Sequence, residues 1–146
     1  MSVLTQQAAP RLDQSRGRRL LVPALSVVGV AGFLTVTHVV DPTQPGNYPT
    51  CPWLLLTGTW CPGCGTLRAT HALTEGQVGV AFGYNPLTVL AYVVIFVGFL
   101  GYSVRQWTGR PKRHLAPAWV LYALFWGIIA FWVLRNVPGW TWLSPA

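Results

Sequence analysis

Three long apolar runs constrain this chain more than any other feature of its sequence. They extend from Leu20 to Val40, from Pro86 to Val104 and from Pro117 to Leu134, and none contains Lys, Arg, Asp or Glu. An α-helix rises about 1.5 Å per residue, so each run is about long enough to cross a hydrocarbon core of about 30 Å. The sequence therefore predicts an all-α membrane protein with three transmembrane helices at 20–40, 86–104 and 117–134.

The composition agrees with this interpretation. Only 9% of the residues are charged, against 52% hydrophobic residues, whereas a soluble domain is about 25% charged. The first run is also longer than the apolar region of a signal peptide, which is typically about 7–15 residues. We therefore expect it to be retained as a helix, with the apolar side chains facing membrane lipids or a partner protein.

The basic residues predict the orientation. One group precedes the first run and a second lies between the second and third runs; they are Arg11, Arg16, Arg18, Arg19, Arg105, Arg110, Lys112 and Arg113. Short cytoplasmic segments of membrane proteins carry an excess of Lys and Arg. We expect a cytosolic basic tail at 1–19 and a cytosolic basic loop at 105–116, with 41–85 and the tail 135–146 on the external side. No folded basic face typical of nucleic-acid binding is predicted.

The external segment 41–85 holds all three cysteines, Cys51, Cys61 and Cys64. A short interfacial helix is predicted from Thr66 to Glu75, with Gly76 placed to end it.

Three polar side chains share one face of this predicted helix, because they are separated by three and four residues; they are Arg68, His71 and Glu75. In one interpretation, Arg68 and Glu75 lie at the membrane interface and bind lipid headgroups or each other. In the other, the Arg68 side chain holds backbone carbonyls of the cysteine loop in place. Asn85 is a good N-cap for the second span, and Pro86 suits its first helical position.

Three interpretations of the cysteines remain open. Two cysteines form a structural disulfide, since the external side is oxidising. Alternatively, Cys51, Cys61, Cys64 and His71 supply the four ligands of a tetrahedral zinc site. In the third interpretation, Cys61 and Cys64 are a redox pair with Cys61 as the attacking thiolate, although no strand pattern predicts the βαβ scaffold that usually carries such a pair.

The cysteine region also resembles a known family. The string C-P-x-x-x-x-T-G-x-x-C-P-G-C-G-x-x-R at 51–68, followed by His71 and by Asn85-Pro86-Leu87, resembles a bacterial family of small membrane proteins classed as a domain of unknown function. The whole chain is similar to an accessory subunit of the mycobacterial Mce lipid-import complex. This resemblance implies a bacterial inner-membrane location and, as partner, the permease of an ABC-type lipid importer.

The function predicted from these observations is not catalytic. No paired carboxylates, nucleophile–base set or phosphate-binding loop is present, and the acidic residues are only Asp13, Asp41 and Glu75. A transporter working alone would normally use more spans with polar groups at membrane depth. We expect an accessory subunit without a cofactor, docked on a larger integral membrane protein. The alternative is an extracytoplasmic thiol–disulfide exchange protein that uses Cys61 and Cys64.

Overall fold

The computed structural model describes residues 16–109 and 117–139, and parts of the predicted basic tail, basic loop and C-terminal tail lie outside these residues. The described residues form helices and contain no strand, which confirms the predicted all-α class. The helices are α1 (Arg16–Val39), α2 (Pro52–Thr57), α3 (Thr66–Thr74), α4 (Val78–Tyr84), α5 (Pro86–Thr108) and α6 (Ala118–Arg135).

Three of these helices, α1, α5 and α6, are long and apolar enough to cross a membrane, as a multi-pass membrane protein requires. Helix α1 begins at Arg16, before the first apolar run, and α5 continues past Val104 to Thr108. The difference has a simple cause. Hydropathy marks the part of a helix within hydrocarbon, whereas the helical backbone continues into the interface, where long basic side chains extend toward water.

Helices α1 and α5 pack against each other in opposite directions. The Arg19 guanidinium near the start of α1 lies against Gly109, which ends α5 in a left-handed conformation with φ of 68°. A side chain at position 109 would meet the end of this flexible arginine, which could shift, but it would be strained by the positive φ. Because this contact joins the first turn of α1 to the last turn of α5, the end of α1 and the start of α5 lie together at the opposite end of the molecule.

Residues 41–85, here called the cysteine segment, form three short helices at that end. Helix α3 ends near the predicted position, with Gly76 at φ of 76°. Helices α2 and α4 were not predicted, because their apolar stretches are too short to show a helical period. The helices α3 and α4 pack on each other and on α5. Small side chains at the contact allow the backbones to approach closely; the buried set is Ala69, Ala72, Ala81 and Val89.

Hydroxyl groups join α3 to α5 across this packing. The Oγ1 atoms of Thr66 and Thr88 lie 2.9 Å apart, and Thr70 Oγ1 lies 2.7 Å from the Tyr92 hydroxyl. Since Thr70 donates its own proton to the carbonyl of Thr66, the Tyr92 hydroxyl is the donor in the second pair. These bonds fix the rotation of α3 on the first turns of α5.

Helix α6 is connected differently from the other two long helices. It has no extensive packing against the other described helices, and its contacts lie at its C-terminal end. There the Trp132 ring packs edge-on against Trp53 of α2, with 5.6 Å between ring centroids. The cysteine segment is therefore the structure that joins α6 to the α1–α5 pair.

Enlarging a side chain in the alanine contact should destabilise the fold. Ala69 is fully buried between α3 and its neighbours, so Ala69→Leu is expected to lower the free energy of unfolding by about 1–3 kcal/mol through overpacking. The measurement is the thermal unfolding midpoint in mild detergent, followed by tryptophan fluorescence. Ala31→Leu on the exposed surface of α1 is the matched control. Equal midpoints for the two variants would contradict this packing.

Candidate functional site

The three cysteine thiols converge at one point in the structure. Cys51 directly precedes α2, whereas Cys61 and Cys64 lie in the turn before α3. The Sγ atoms of Cys61 and Cys64 are 2.8 Å apart, and those of Cys51 and Cys61 are 3.5 Å apart. All three sulfur atoms lie within 4.8 Å of one another. We call these three side chains the thiol cluster.

The turn of residues 61–64, here called the cysteine turn, follows from its sequence. Pro62 and Gly63 occupy its central positions, where proline presets the backbone and glycine tolerates a tight bend. The Cys64 N–H donates to the Cys61 carbonyl over 3.1 Å, which closes the turn. The Cys61 N–H donates in return to Cys64 Sγ over 3.3 Å. This reciprocal pair brings the two sulfur atoms to the same side of the turn.

Arg135, the last residue of α6, reaches into the cysteine turn. Its side chain is only 1% exposed, and its Nη1 donates to the carbonyls of Cys61, Pro62 and Cys64 at 3.0, 3.3 and 3.2 Å. Its Nε and Nη2 atoms are buried and have no hydrogen-bond partner in the described part of the chain. The guanidinium also lies over the Phe131 ring, with Cζ 5.0 Å from the ring centroid.

Two asparagines hold the same region from two different spans. Asn85 is fully buried. Its Oδ1 accepts from the Thr88 N–H over 3.0 Å, which confirms the predicted N-cap of α5. Its Nδ2 donates to the carbonyls of Pro62 and Cys64, at 2.9 and 3.1 Å. Asn136, just after α6, exchanges two bonds with Trp60: Oδ1 accepts from its N–H and Nδ2 donates to its carbonyl.

The thiols differ in how readily they ionise. A hydrogen bond from the backbone N–H of Leu54 lowers the pKa of Cys51 below its ordinary value. Burial raises the pKa of Cys64 to about 12, because the thiolate form would lose its water contacts there. Cys64 is therefore a neutral thiol at neutral pH unless another charge compensates it.

His71 lies away from the thiol cluster. Its Nδ1 is 2.9 Å from the Thr37 carbonyl of α1, and therefore carries the proton that it donates there. Its Nε2 faces two carboxylates, 3.7 Å from Asp41 Oδ1 and 3.5 Å from Glu75 Oε1. Within the described residues, the group of potential metal ligands around the cysteines does not include it. His71 and Glu75 share a face of α3 as expected, and His71 ties this face to the end of α1.

An open groove of about 530 Å³ adjoins the thiol cluster. Its walls come from the loop after α1, the start of α2 and the start of α3, and they include all three cysteines and Arg68; the other wall residues include Tyr48, Trp60 and Thr66. The groove gives small molecules a route from the surface to Cys51 and Cys61, which are half-buried, beside the buried Cys64.

The sequence identifies the cysteines and Asn85 and offers Arg68 as one candidate for holding the carbonyls of the cysteine loop, but it does not single out Arg135, which donates to three of these carbonyls. The distribution of basic residues in the sequence contains a signal for Arg135. Eight of the ten basic residues lie in the two predicted cytosolic stretches, and the remaining two are Arg68 and Arg135. An arginine that ends an apolar span on the side without basic clusters does not follow the usual charge distribution. A charged residue at such a position usually pairs with another charged group or with backbone carbonyls.

Two substitutions separate the capping role of Asn85 from its contacts with the cysteine turn. Asn85→Asp keeps the oxygen that caps α5 but replaces the donating amide by a carboxylate oxygen facing two carbonyls. We expect it to destabilise the protein by about 1–3 kcal/mol, about as much as Asn85→Ala, with faster maleimide labelling of Cys64. The thermal unfolding midpoint measures the loss of stability, and the rate of maleimide labelling measures the exposure of Cys64. If Asn85→Asp matches the wild type while Asn85→Ala does not, only the cap is important.

Comparison with known proteins adds a family for the central part of the chain. No curated protein and no solved structure gives a significant match. Residues 51–99 match the model of a family described as "Protein of unknown function (DUF2752)". The match begins at Cys51, includes the thiol cluster and Asn85, and ends within α5. Residues 51–99 are thus similar to a domain whose function is unknown.

Proposed function

We propose that this protein is a non-catalytic accessory subunit of a larger complex in the bacterial inner membrane. In this proposal the N-terminus is cytosolic and the cysteine segment is external, as the distribution of basic residues favours. The observation that carries the proposal is how little of α6 is covered by the other described helices. This helix is anchored at one end by Arg135 and Asn136, whereas its central surface is left uncovered by the other described helices.

The side chains at the middle of α6 favour a protein partner over lipid alone. Trp126 lies near the centre of α6 and is 64% exposed. Its ring contacts Phe125 edge-on, with 5.4 Å between centroids, and within the described residues its indole N–H has no acceptor. Lipid tails offer no acceptor at this depth, and an unsatisfied polar group in an apolar medium costs free energy. A neighbouring protein helix with a hydroxyl, amide or carbonyl group would satisfy it.

The shape of this surface supports the same conclusion. Tyr122 lies one turn before Trp126 on the same face and also exposes its polar hydroxyl. Together with Leu121 and Phe125, these side chains surround a surface hollow of about 420 Å³. Tyrosine and tryptophan are usually enriched near the two interfaces of a membrane protein. Trp126 lies instead at the centre of α6, away from both interfaces, and the cysteine segment fixes the position from which α6 presents it.

The identity of the partner comes from resemblance. Because the whole chain resembles LucB, the accessory subunit of the mycobacterial Mce lipid-import complex, we propose the permease of an Mce-type ABC lipid importer as the partner. The exposed apolar surfaces of α1 and α5 would then contact membrane lipids. Loss of the protein would lower lipid uptake through loss of the assembled importer.

Extracytoplasmic thiol–disulfide exchange is the second candidate function, and one observation favours it. The Sγ atoms of Cys61 and Cys64 are 2.8 Å apart, so a disulfide between them needs only a small movement. In that function the substrate disulfide would be reduced to two thiols while Cys61 and Cys64 become oxidised. The burial of Cys64 and its raised pKa make it a poor attacking group, which leaves Cys61 for that role.

Photo-crosslinking from α6 tests the accessory role. A benzophenone amino acid at position 126 should form a discrete adduct with one larger integral membrane protein, because this face is occupied in the complex. The adduct is identified by mass spectrometry after purification in mild detergent from the native membrane. The matched control is position 28, where Val28 is 69% exposed on α1. Absence of a protein adduct at 126, with no stoichiometric partner recovered, would contradict the proposal. Recovery of a partner other than a lipid-importer permease would reject only the Mce assignment.

A trapping experiment tests the alternative. If the protein exchanges disulfides, Cys64→Ser should accumulate mixed disulfides between Cys61 and many client proteins, because the resolving thiol is absent. For an accessory subunit we expect no client ladder on non-reducing gels, with Cys61→Ser as the control for labelling background. A ladder that depends on Cys61 would establish the exchange function instead.

A further inference from the structure

The thiol cluster has a geometry that a disulfide alone does not require. A disulfide joins two sulfur atoms, yet here three Sγ atoms from two separate parts of the chain lie within 4.8 Å of one another. In tetrahedral zinc sites the Zn–S distance is about 2.3 Å, which places neighbouring sulfur ligands about 3.8 Å apart. The Cys51–Cys61 separation of 3.5 Å is close to this value, whereas the Cys61–Cys64 separation of 2.8 Å would have to widen on metal binding. The cluster therefore resembles three corners of a metal site.

Hydrogen bonds hold the backbone around the thiol cluster in place. The Cys61 N–H donates to Cys64 Sγ, and hydrogen bonds to a ligand atom orient it and stabilise its thiolate form. The carbonyls of the cysteine turn are fixed by Asn85 and Arg135. Because these two residues belong to α5 and α6, the positions of Cys61 and Cys64 are set by the helices and not by the loop itself.

The charges of the three thiolates and of Arg135 favour a divalent cation over a monovalent one. Three thiolates would bring three negative charges together at a position where Cys64 is buried and Cys51 and Cys61 are half-buried. Arg135 supplies one compensating positive charge, and its Nε and Nη2 atoms are buried without a protein acceptor. A divalent cation bound to three thiolates leaves one net negative charge, which Arg135 cancels. A monovalent cation would leave one negative charge uncompensated.

Within residues 16–109 and 117–139, no fourth side chain of the usual ligand types lies beside the three sulfur atoms. Among the described residues, no fourth His, Cys, Asp or Glu joins the group, and the two nitrogens of His71 are directed at Thr37 and at the carboxylates of Asp41 and Glu75. The cysteines line the open groove, so a water molecule or another small ligand can enter from that side.

We propose that Cys51, Cys61 and Cys64 bind one thiophilic divalent cation of the zinc class, with the fourth ligand entering from the groove. On binding, each thiol releases its proton to water, and the sulfurs keep their oxidation state. The ion joins the start of α2 to the start of α3 and thereby fixes the cysteine turn to which α6 is attached. This inference is independent of the proposed partner, and the redox alternative predicts the opposite state of the same cysteines.

Metal analysis of the full-length protein tests the inference. The protein is purified from membranes in mild detergent without chelator, and its metal content is measured by inductively coupled plasma mass spectrometry. We expect about one zinc per chain and three thiols that react with maleimide only after a chelator is added. Reduced, stripped protein should then take up one equivalent of Co²⁺ with the sulfur-to-cobalt absorption bands of a tetrahedral site. Metal-free protein that contains a Cys61–Cys64 disulfide and gives no cobalt spectrum after reduction would overturn the proposal. So would copper as the bound metal.

Substitutions identify the ligand set. Cys51→Ser should reduce the bound metal at least on the order of ten-fold, since a ligand is lost outright and even residues behind the ligands contribute about 10–100-fold to metal affinity. His71→Ala is the matched control and should retain the metal and the cobalt spectrum, because His71 lies outside the cluster. Loss of the metal from His71→Ala in a protein with an unchanged unfolding midpoint would overturn the three-sulfur site. The cobalt titration of the wild type remains decisive if Cys51→Ser does not fold.

Arg135 offers a test of the charge argument. Arg135→Met should weaken metal affinity by about 10–100-fold, because it removes both the compensating charge and the bonds to the cysteine turn. Arg135→Lys keeps the charge and should restore much of the affinity, a rescue that a purely structural role of the guanidinium fork would not produce. Competition with a chromophoric chelator measures both affinities. Equal affinities for Arg135→Met and the wild type would contradict the assigned role of the charge.

Discussion

The bonds from Arg135 and Asn85 to the cysteine turn are the interaction on which the remaining structure depends. A turn exposes backbone carbonyls, and at the edge of an apolar region such groups need partners from the protein. Two spans supply them: Asn85 at the start of α5 and Arg135 at the end of α6 both reach the carbonyls of Pro62 and Cys64. The turn thereby connects two helices that have no extensive packing with each other.

This connection relates the two proposals to each other. Because α6 is attached to the rest of the described chain through the cysteine segment, the stiffness of that segment determines how firmly α6 presents Tyr122 and Trp126. Pre-organising a binding surface reduces the entropy that is lost when a partner binds. An ion that joins α2 to α3 would therefore favour docking through α6 even though the thiol cluster touches no partner. Neither proposal requires the other, but together they would explain why three thiols lie at the base of an exposed aromatic helix.

The sequence was sufficient for features that depend on local or periodic signals. Charge-free apolar runs identified the spans, and the Asn85-Pro86 pair identified the start of α5. Helix α3 was also predictable, since a capping position and Gly76 mark its ends. Helix α2 was not, because the six residues from Pro52 to Thr57 are too few to show a period, and packing of Trp53 against Trp132 supports it only in the folded chain.

The site was predictable only in part, for a related reason. The spacing of Cys61 and Cys64 made a local pair evident, but the approach of Cys51 depends on α2. The role of Arg135 depends on a contact across more than seventy residues of sequence. Position 68 was the local candidate for an arginine that binds the cysteine loop, and sequence distance alone favoured it. Reasoning from charge placement would have ranked Arg135 as equally unusual.

The family match covers only part of the site around the cysteine turn. Residues 51–99 include all three sulfur atoms and Asn85, but not Arg135 or Asn136. The matched domain therefore contains the ligand set, whereas the positive charge comes from the third span. Without that charge, three thiolates and a divalent ion would keep one net negative charge, which is costly to bury. With Arg135 the proposed group would be neutral and could lie at the end of an apolar region, which would give α6 an electrostatic reason to end at the cysteine turn.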